Sequence, residues 1–216
     1  MPIIKIQEET ASRVASMLLK IEAIKLSVNK PFTWSSGWKS PIYCDNRLAL
    51  SYPEVRTQIK ESLVKAIQEN FFSAEAIAGV ATAGIPQGVL VAQDMNLPFI
   101  YVRPKPKDHG MENLIEGRVV KNQKVVVIED LISTGGSSLK AVQALRDAGC
   151  KVIGMVSVFT YGFDLASKNF YDADVSLISL SDYGHMLRVA VEQNYIDKDQ
   201  LVSLKSWNVD PANWKK

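Results

Sequence analysis

The chain has 216 residues, of which 47% are hydrophobic and 22% are charged, and its formal net charge at pH 7 is +2. A chain of this length can form one domain with a sizeable core. The small net charge argues against nucleic acid or an anionic membrane surface as a partner, so any cationic site must be local. The two cysteines and two histidines have no metal-ligand spacing and exclude a zinc cluster, and lone thiols favour a reducing cytoplasm.

No segment is predicted to cross a membrane or to direct secretion. The longest uncharged stretch, residues 76–92, is interrupted by Thr82 and Gly84, which is typical of a strand, a turn and a helix. The N-terminus becomes acidic at once at Glu8 and Glu9, unlike a secretory signal. We therefore expect small-molecule partners, with neither nucleic acid nor a membrane.

The first 50 residues predict a helix followed by a small β-rich segment. Apolar residues recur at steps of three and four and predict an amphipathic helix over residues 7–24. Residues 32–47 are aromatic, β-prone and rich in hydroxyls, and they predict a hairpin that turns at Ser36 and Gly37. Aromatic rings beside amide and hydroxyl donors suit a flat heterocycle, although a β-appendage with a hydrophobic underside explains the same pattern equally well.

From Pro53 onward, amphipathic helices alternate with short apolar runs, which is typical of a parallel sheet covered by helices. The predicted strands are residues 76–80, 97–102, 125–128, 151–160 and 174–180. The predicted helices are residues 53–70, 85–96, 139–148, a helix from the N-cap Ser181 to Gln193, and residues 198–204. Cys150 is expected in the core, and Trp207 and Trp214 are expected to pack against the N-terminal segment rather than to bind a ligand.

The strand at 125–128 leads into a pattern that predicts a phosphate site. Glu129 and Asp130 follow the strand directly, and the small residues 133–138 then precede a helix. A small-residue turn at a helix N-terminus binds anions through free N–H groups and the helix dipole. An acidic pair beside it suits the diol of a ribose 5-phosphate, because carboxylates accept hydrogen bonds from hydroxyls. The alternative is a buried strand followed by an ordinary capped helix.

A dense cluster of positive residues, 103–110, lies directly before the strand of this phosphate site. Prolines and a glycine exclude a helix, so we predict an exposed loop that continues to about Gly117. Charge runs are usually solvated surface, which is the alternative interpretation. Neighbouring βα units place this loop and the phosphate site at the same sheet edge, which favours a role in binding.

Three segments resemble a known family. Residues 125–138 resemble the phosphoribosyl-pyrophosphate signature of type I phosphoribosyltransferases. The pattern Phe-Thr-x-x-Ser-Gly-x-Lys-Ser-Pro in residues 32–41 resembles the N-terminal segment of orotate phosphoribosyltransferases, and residues 103–117 resemble their mobile catalytic loop. The resemblance implies a Rossmann-like α/β fold with a central, mostly parallel sheet flanked by helices. A small N-terminal hood with β-strands (residues 1–50) would be integrated with the core (residues 51–216) in one domain.

The resemblance also implies an activity. The family transfers the 5-phosphoribosyl group from phosphoribosyl pyrophosphate to orotate, giving orotidine 5′-phosphate and pyrophosphate in pyrimidine biosynthesis. It implies Mg²⁺ as a cofactor that reaches the site with the substrate, and a homodimer in which loop 103–117 completes the neighbouring site. Two alternatives remain open: a phosphoribosyltransferase for another base, and a regulator that senses phosphoribosyl pyrophosphate without catalysis.

The resemblance assigns roles to individual residues. Catalysis falls to Arg103, Lys107, His109 and Asp130. Orotate binding falls to Lys25, Tyr43, Cys44 and Ser133. The residues expected to bind phosphoribosyl pyrophosphate are Arg103, Lys105, Lys107, His109, Glu129, Asp130, Leu131, Ile132, Ser133, Thr134, Gly135, Gly136 and Ser137. No side chain is assigned as a direct metal ligand, although Glu129 and Asp130 lie nearby.

Three positions depart from the pattern of the family. Ala83 and Pro104 stand where many members carry lysine, and Tyr161 stands where some members carry an arginine that contacts the base. Lys105, one residue after Pro104, is a candidate replacement for the second of these lysines.

Overall fold

The structure is a computed structural model and describes residues 4–34, 37–105 and 114–214. The strands are β1 (Ile4–Ile6), β2 (Ile24–Leu26), β3 (Phe32–Thr33), β4 (Lys39–Ser40), β5 (Ile42–Cys44), β6 (Ala76–Val80), β7 (Phe99–Val102), β8 (Ile115–Glu116), β9 (Lys124–Ile132), β10 (Lys151–Thr160) and β11 (Leu177–Asp182). The helices are α1 (Glu8–Lys20), α2 (Pro53–Asn70), α3 (Gly84–Met95), α4 (Gly136–Asp147), α5 (Asp164–Asp172), α6 (Tyr183–Glu192) and α7 (Lys198–Val209), with a 3-10 helix at Asn46–Ser51.

Within the described ranges, a sheet of seven strands in the order β1-β11-β10-β9-β6-β7-β8 forms the centre of the molecule. All its neighbouring strands pair in parallel except β8, which is antiparallel to β7. Every residue of β6 is buried, as are Val125 to Ile128 of β9. Helices cover both faces, which is why these strands consist of almost uninterrupted apolar residues. The predicted α/β class and parallel sheet are confirmed.

The structure corrects the limits of several elements near the N-terminus. The helix predicted over residues 7–24 ends at Lys20, and Ile24–Leu26 forms β2, which pairs antiparallel with β5. Residues 4–6 form β1, which pairs in parallel with β11 and was not predicted. Three-residue strands depend on partners distant in sequence, so local periodicity carries no signal for them.

The C-terminal half needs five further corrections. The last strand is Leu177–Asp182 rather than 174–180, and Asp182 is the N-cap of α6, accepting a hydrogen bond of 2.7 Å from the backbone N–H of His185. The predicted cap Ser181 is buried and donates its hydroxyl to the carbonyl of Ala11 instead. Helix α5 was not predicted, α4 begins three residues earlier than expected, and α7 extends to Val209.

A small hood of β-strands lies beside the sheet. Strands β3 and β4 pair antiparallel, as the predicted hairpin requires, whereas Ser36 at its tip lies outside the described residues. The indole N–H of Trp207 donates to the carbonyl of Lys39 at 3.2 Å, and its ring meets Trp34 edge to face at 5.6 Å. The prediction that Trp207 packs against the N-terminal segment is confirmed. No helix in the described part of the chain combines the length and the apolar character needed to span a membrane.

Candidate active site

The carboxyl ends of the parallel strands bring the predicted site segments together at one edge of the sheet. Asp130 lies near the end of β9, Arg103 follows β7, and Tyr161 follows β10. The turn after β6 packs directly against β9, since a Cβ on Gly84 would lie 2.4 Å from the carbonyl oxygen of Ile128. Ligands of open α/β sheets bind at this edge.

The two adjacent carboxylates differ in their surroundings. Glu129 is 6% exposed, and its carboxylate accepts a hydrogen bond of 2.8 Å from the Ser138 hydroxyl and one of 3.0 Å from the backbone N–H of Asp130. Burial, reinforced by the charge of Asp130, raises the pKa of Glu129 well above its usual range. Burial also raises the pKa of Asp130, which is only half-buried. Asp130 is therefore the carboxylate that a ligand can reach. Strand β9 extends to Ile132, so both carboxylates lie within it and not after it as predicted.

The turn after β9, residues 133–137, has the shape expected of a phosphate-binding loop, and we call it the cradle. Gly135 has φ +79°, and a Cβ there would lie 2.6 Å from the ring of Phe170 in α5. Gly136 and Ser137 are exposed at the start of α4, where free N–H groups and the helix dipole favour an anion. The Ile132 side chain is fully buried, which leaves only its main chain for a ligand.

A cavity of about 530 Å³ separates the hood from the cradle. It is lined by Thr33, Trp34, Trp38, Tyr43, Cys44, Leu131, Ser133, Thr134 and Tyr161. Three of the four predicted orotate residues are therefore in its wall. The fourth, Lys25, pairs with Tyr43 across β2 and β5, so both side chains point to the same face, and its amine forms an ion pair of 3.0 Å with Glu22.

The Cys44 thiol lies among acidic groups. Burial and the charges of Asp130 and Asp45 raise the pKa of Cys44 well above its usual range, which keeps the thiol protonated at neutral pH. It donates a hydrogen bond to Oδ1 of Asn46 at 3.3 Å. Cys44 therefore contributes a neutral, polarizable surface to the cavity rather than a nucleophile.

Arg103 stands at the base of the predicted catalytic loop. Its backbone N–H donates to the carbonyl of Leu114 at 2.8 Å, and its Nη1 lies 3.7 Å from Glu116. A second cavity, of about 680 Å³, is lined by Arg103 together with Gly136 and Ser137 of the cradle. Lys105 is exposed, whereas Lys107 and His109 lie outside the described residues.

Comparisons with known proteins agree with this geometry. The model of the phosphoribosyl transferase domain matches residues 50–193. Orotate phosphoribosyltransferase from Cytophaga hutchinsonii is 58% identical over 203 residues, which cover 94% of this chain and 97% of that protein. The protein of the same name from Streptococcus thermophilus is 55% identical and covers 95% of this chain and 98% of its own.

The chain belongs to the orotate phosphoribosyltransferase family. The family consists of pentosyltransferases, and the expected type I phosphoribosyltransferase fold is confirmed. The crystal structure of orotate phosphoribosyltransferase from Aeropyrum pernix superposes with a TM-score of 0.74 at 27% identity, over 85% of this chain and 99% of that one. Adenine phosphoribosyltransferase from Leishmania tarentolae, at 21% identity, has a TM-score of 0.64 over 86% of this chain and 94% of its own. The core fold by itself therefore does not select the base.

Against the family pattern, Tyr161 is the most informative of the three departures. Its ring is 3% exposed and packs against Trp34, Phe163 and Trp207 at centroid distances of 5.4 to 5.6 Å. Burial is the main reason that the pKa of Tyr161 lies well above its usual range, so the hydroxyl stays neutral. The cavity between the hood and the cradle thus has the neutral phenol of Tyr161 in its wall.

Sequence reasoning missed several residues of the site. Thr33, Trp34 and Trp38 line the cavity between the hood and the cradle. Their segment was expected to suit a flat heterocycle, but none of the three was assigned to the site individually. Asn46 was also missed, although its amide donates to the carbonyl of Asp130 at 2.8 Å, across 84 residues of sequence. Nothing in the local sequence indicates that contact.

Proposed function

We propose that the protein transfers the 5-phosphoribosyl group of phosphoribosyl pyrophosphate to orotate, forming orotidine 5′-phosphate and pyrophosphate in pyrimidine (UMP) biosynthesis. The observation that carries the proposal is the cavity between the hood and the cradle, whose wall includes Tyr43, Cys44 and Ser133. Aromatic rings line the cavity together with Ser133 and Thr134 of the turn after β9, which supports a base held beside a ribose 5-phosphate.

The 5-phosphate would bind the turn from Ser133 to Ser137. Exposed N–H groups and hydroxyls at the N-terminus of α4 supply donors, and the positive end of the helix dipole favours the anion. Asp130 would accept hydrogen bonds from the ribose hydroxyls, since it is the more accessible of the two carboxylates. Glu129 would support the backbone of Asp130, since its carboxylate accepts hydrogen bonds from that N–H and from the Ser138 hydroxyl.

The reacting centre needs electrostatic support on the leaving group. Breaking the bond at the anomeric carbon leaves positive charge on the ribose and negative charge on the departing pyrophosphate, so fixed cations there lower the barrier. We assign this role to Arg103, Lys107 and His109, with Lys105 as an additional phosphate contact. Loop 103–117 would also exclude water from the centre.

Magnesium is part of the proposal. Asp130, the more accessible carboxylate, lies near the expected position of an ion that would reach the site with the substrate phosphates, which are ligands that Mg²⁺ takes in proteins. When bound, the ion would neutralise charge on the pyrophosphate.

Two further properties belong to the proposal. We infer a homodimer in which loop 103–117 of one subunit reaches the site of the other, and a cytoplasmic location consistent with the free thiols of Cys44 and Cys150. We also treat the hood (residues 1–50) and the core (residues 51–216) as one integrated domain, because Trp207 and Asn46 tie them together.

The test is the loss of orotate absorbance when phosphoribosyl pyrophosphate and Mg²⁺ are added, with Lys107→Ala beside the wild type. The wild type should consume orotate, and Lys107→Ala should be slower by roughly a hundredfold or more. A wild type that binds phosphoribosyl pyrophosphate yet leaves orotate untouched would refute the base assignment. Purine bases would then be tried as acceptors, and a sensor role would follow if none reacts.

A further inference from the structure

Three asparagine side chains from outside the sheet reach the main chain of the active site. Nδ2 of Asn46 donates to the carbonyl of Asp130 at 2.8 Å, Nδ2 of Asn169 to that of Thr134 at 2.9 Å, and Nδ2 of Asn208 to that of Tyr161 at 2.8 Å. They come from the 3-10 helix, from α5 and from α7. Each contact therefore joins a peripheral element to a different segment of the site.

The three carbonyls that accept these hydrogen bonds lie near the residues at which the pairing between neighbouring strands of the sheet ends. The pairing of β6 with β9 ends at Gly79 and Ile128, two residues before Asp130. The pairing of β9 with β10 ends at Ile132 and Thr160, just before the two segments that carry the other carbonyls. Backbone carbonyls that leave a ladder need new partners, and here side-chain amides supply them.

Each asparagine acts behind a different part of the site. Asn169 is next to Phe170, which packs under Gly135 of the cradle. Asn208 holds the main chain of Tyr161, a wall of the base cavity. Asn46 is 3% exposed and joins the wall of the base cavity to β9. Its Oδ1 accepts the thiol hydrogen of Cys44, and its Nδ2 donates to the carbonyl of Asp130.

We propose that Asn46, Asn169 and Asn208 are positioning residues for phosphoribosyl transfer. Asn169 fixes the cradle, Asn208 fixes the base cavity, and Asn46 fixes the distance between the base and the carboxylate that holds the ribose. This inference rests on the proposed function, since it divides the work of the same site. A transfer between two bound substrates is sensitive to small displacements, because only aligned reactants at short distance react.

The three roles predict different changes in kcat and in the two KM values. Loss of a purely structural hydrogen bond would not separate these parameters. Replacement of Asn169 by Leu should raise the KM for phosphoribosyl pyrophosphate about tenfold and leave the KM for orotate unchanged. The Asn208→Leu variant should raise the KM for orotate about tenfold and leave the KM for phosphoribosyl pyrophosphate unchanged. For Asn46→Leu we expect kcat to fall about tenfold or more with both KM values within about twofold, because each substrate still binds but out of alignment.

Ser62→Ala is the matched control. Ser62 lies on α2, is 3% exposed, and its hydroxyl donates to the carbonyl of Gln58 at 2.7 Å, remote from the site. The control should lower the melting temperature and leave both KM values and kcat unchanged. If a Leu variant fails to fold, the Ala variant at the same position replaces it, because Ala is smaller, carries no charge and cannot donate.

Outcomes that overturn the inference are well defined. If the three variants resemble Ser62→Ala, or if all three raise both KM values equally, the amides are structural only. Calorimetric titration with phosphoribosyl pyrophosphate and Mg²⁺ separates this inference from the proposed function. A weaker affinity in Asn169→Leu supports the role at the cradle even when no orotate is consumed, whereas an unchanged affinity refutes it.

Discussion

The hydroxyl of Ser138 donates a hydrogen bond of 2.8 Å to Oε2 of Glu129, so the first turn of α4 holds the first carboxylate of the sheet edge. The second carboxylate, Asp130, donates its backbone N–H to the other oxygen of Glu129. Glu129 is thus committed to internal partners, and Asp130 remains for the substrate. The turn that would bind the phosphate and the carboxylates that would bind the ribose are consequently one connected unit.

Glu129 should make stability depend on pH in the absence of Mg²⁺ and substrate. Its folded pKa is raised, so the folded state holds more protons than the unfolded state between the usual carboxyl pKa and the raised value. The free energy of unfolding should therefore fall as pH rises through that window. In Glu129→Gln, the free energy of unfolding measured in urea should depend less steeply on pH. Some dependence should remain, because the pKa of Asp130 is also raised. Identical slopes for Glu129→Gln and the wild type would contradict the role of burial at Glu129.

Ser138→Ala should destabilise the protein in a manner that depends on pH. The substitution removes a donor that stabilises ionised Glu129, which raises the pKa of this carboxyl further and leaves a buried oxygen without its partner. We expect a loss of about 1–2 kcal/mol at pH 8 and a smaller loss at pH 5, where Glu129 is protonated in more of the molecules. Urea unfolding at both pH values measures this, and an equal loss at both would refute the explanation.

Gly135→Ala should damage both the fold and the cradle. The backbone at Gly135 has φ +79°, and the added methyl would lie 2.6 Å from Phe170. We expect a loss of about 2–4 kcal/mol, from strain in the left-handed region plus overpacking, and at least a tenfold weaker affinity for phosphoribosyl pyrophosphate. Unfolding and calorimetric titration measure the two effects.

Gly162→Ala separates strain from overpacking. Gly162 also has a positive φ, of +66°, but a Cβ there meets nothing within 4 Å. This variant should lose only about 1 kcal/mol. Comparable losses in the two variants would mean that contact with Phe170 does not limit the cradle.

Trp207 should couple the C-terminal helix to the base cavity. It is fully buried, contacts Trp34 and Tyr161 in the cavity wall, and donates to the carbonyl of Lys39. Trp207→Ala should cost about 3–5 kcal/mol and raise the KM for orotate, whereas Trp207→Phe, which keeps a ring, should cost less. Thermal unfolding and kinetics measure this, and a destabilised Ala variant with an unchanged KM for orotate would limit Trp207 to a structural role.

The sequence by itself determined the α/β class, the strands β6 and β10 to the residue, and the segments that form the sheet edge. It could do so because buried parallel strands need continuous apolar runs and a phosphate turn needs small residues, and both requirements are local. The hairpin of the hood was recognisable for the same reason.

Only the tertiary structure decided how these segments meet. Strands β1 and β2 exist because distant partners pair with them, and Ser181 turns away from α6 because Ala11 offers a buried carbonyl. The contact of Asn46 with Asp130 has the same origin. Such contacts depend on the positions of two chain segments in space, and the free energy of a hydrogen bond between remote residues leaves no periodic pattern along the sequence.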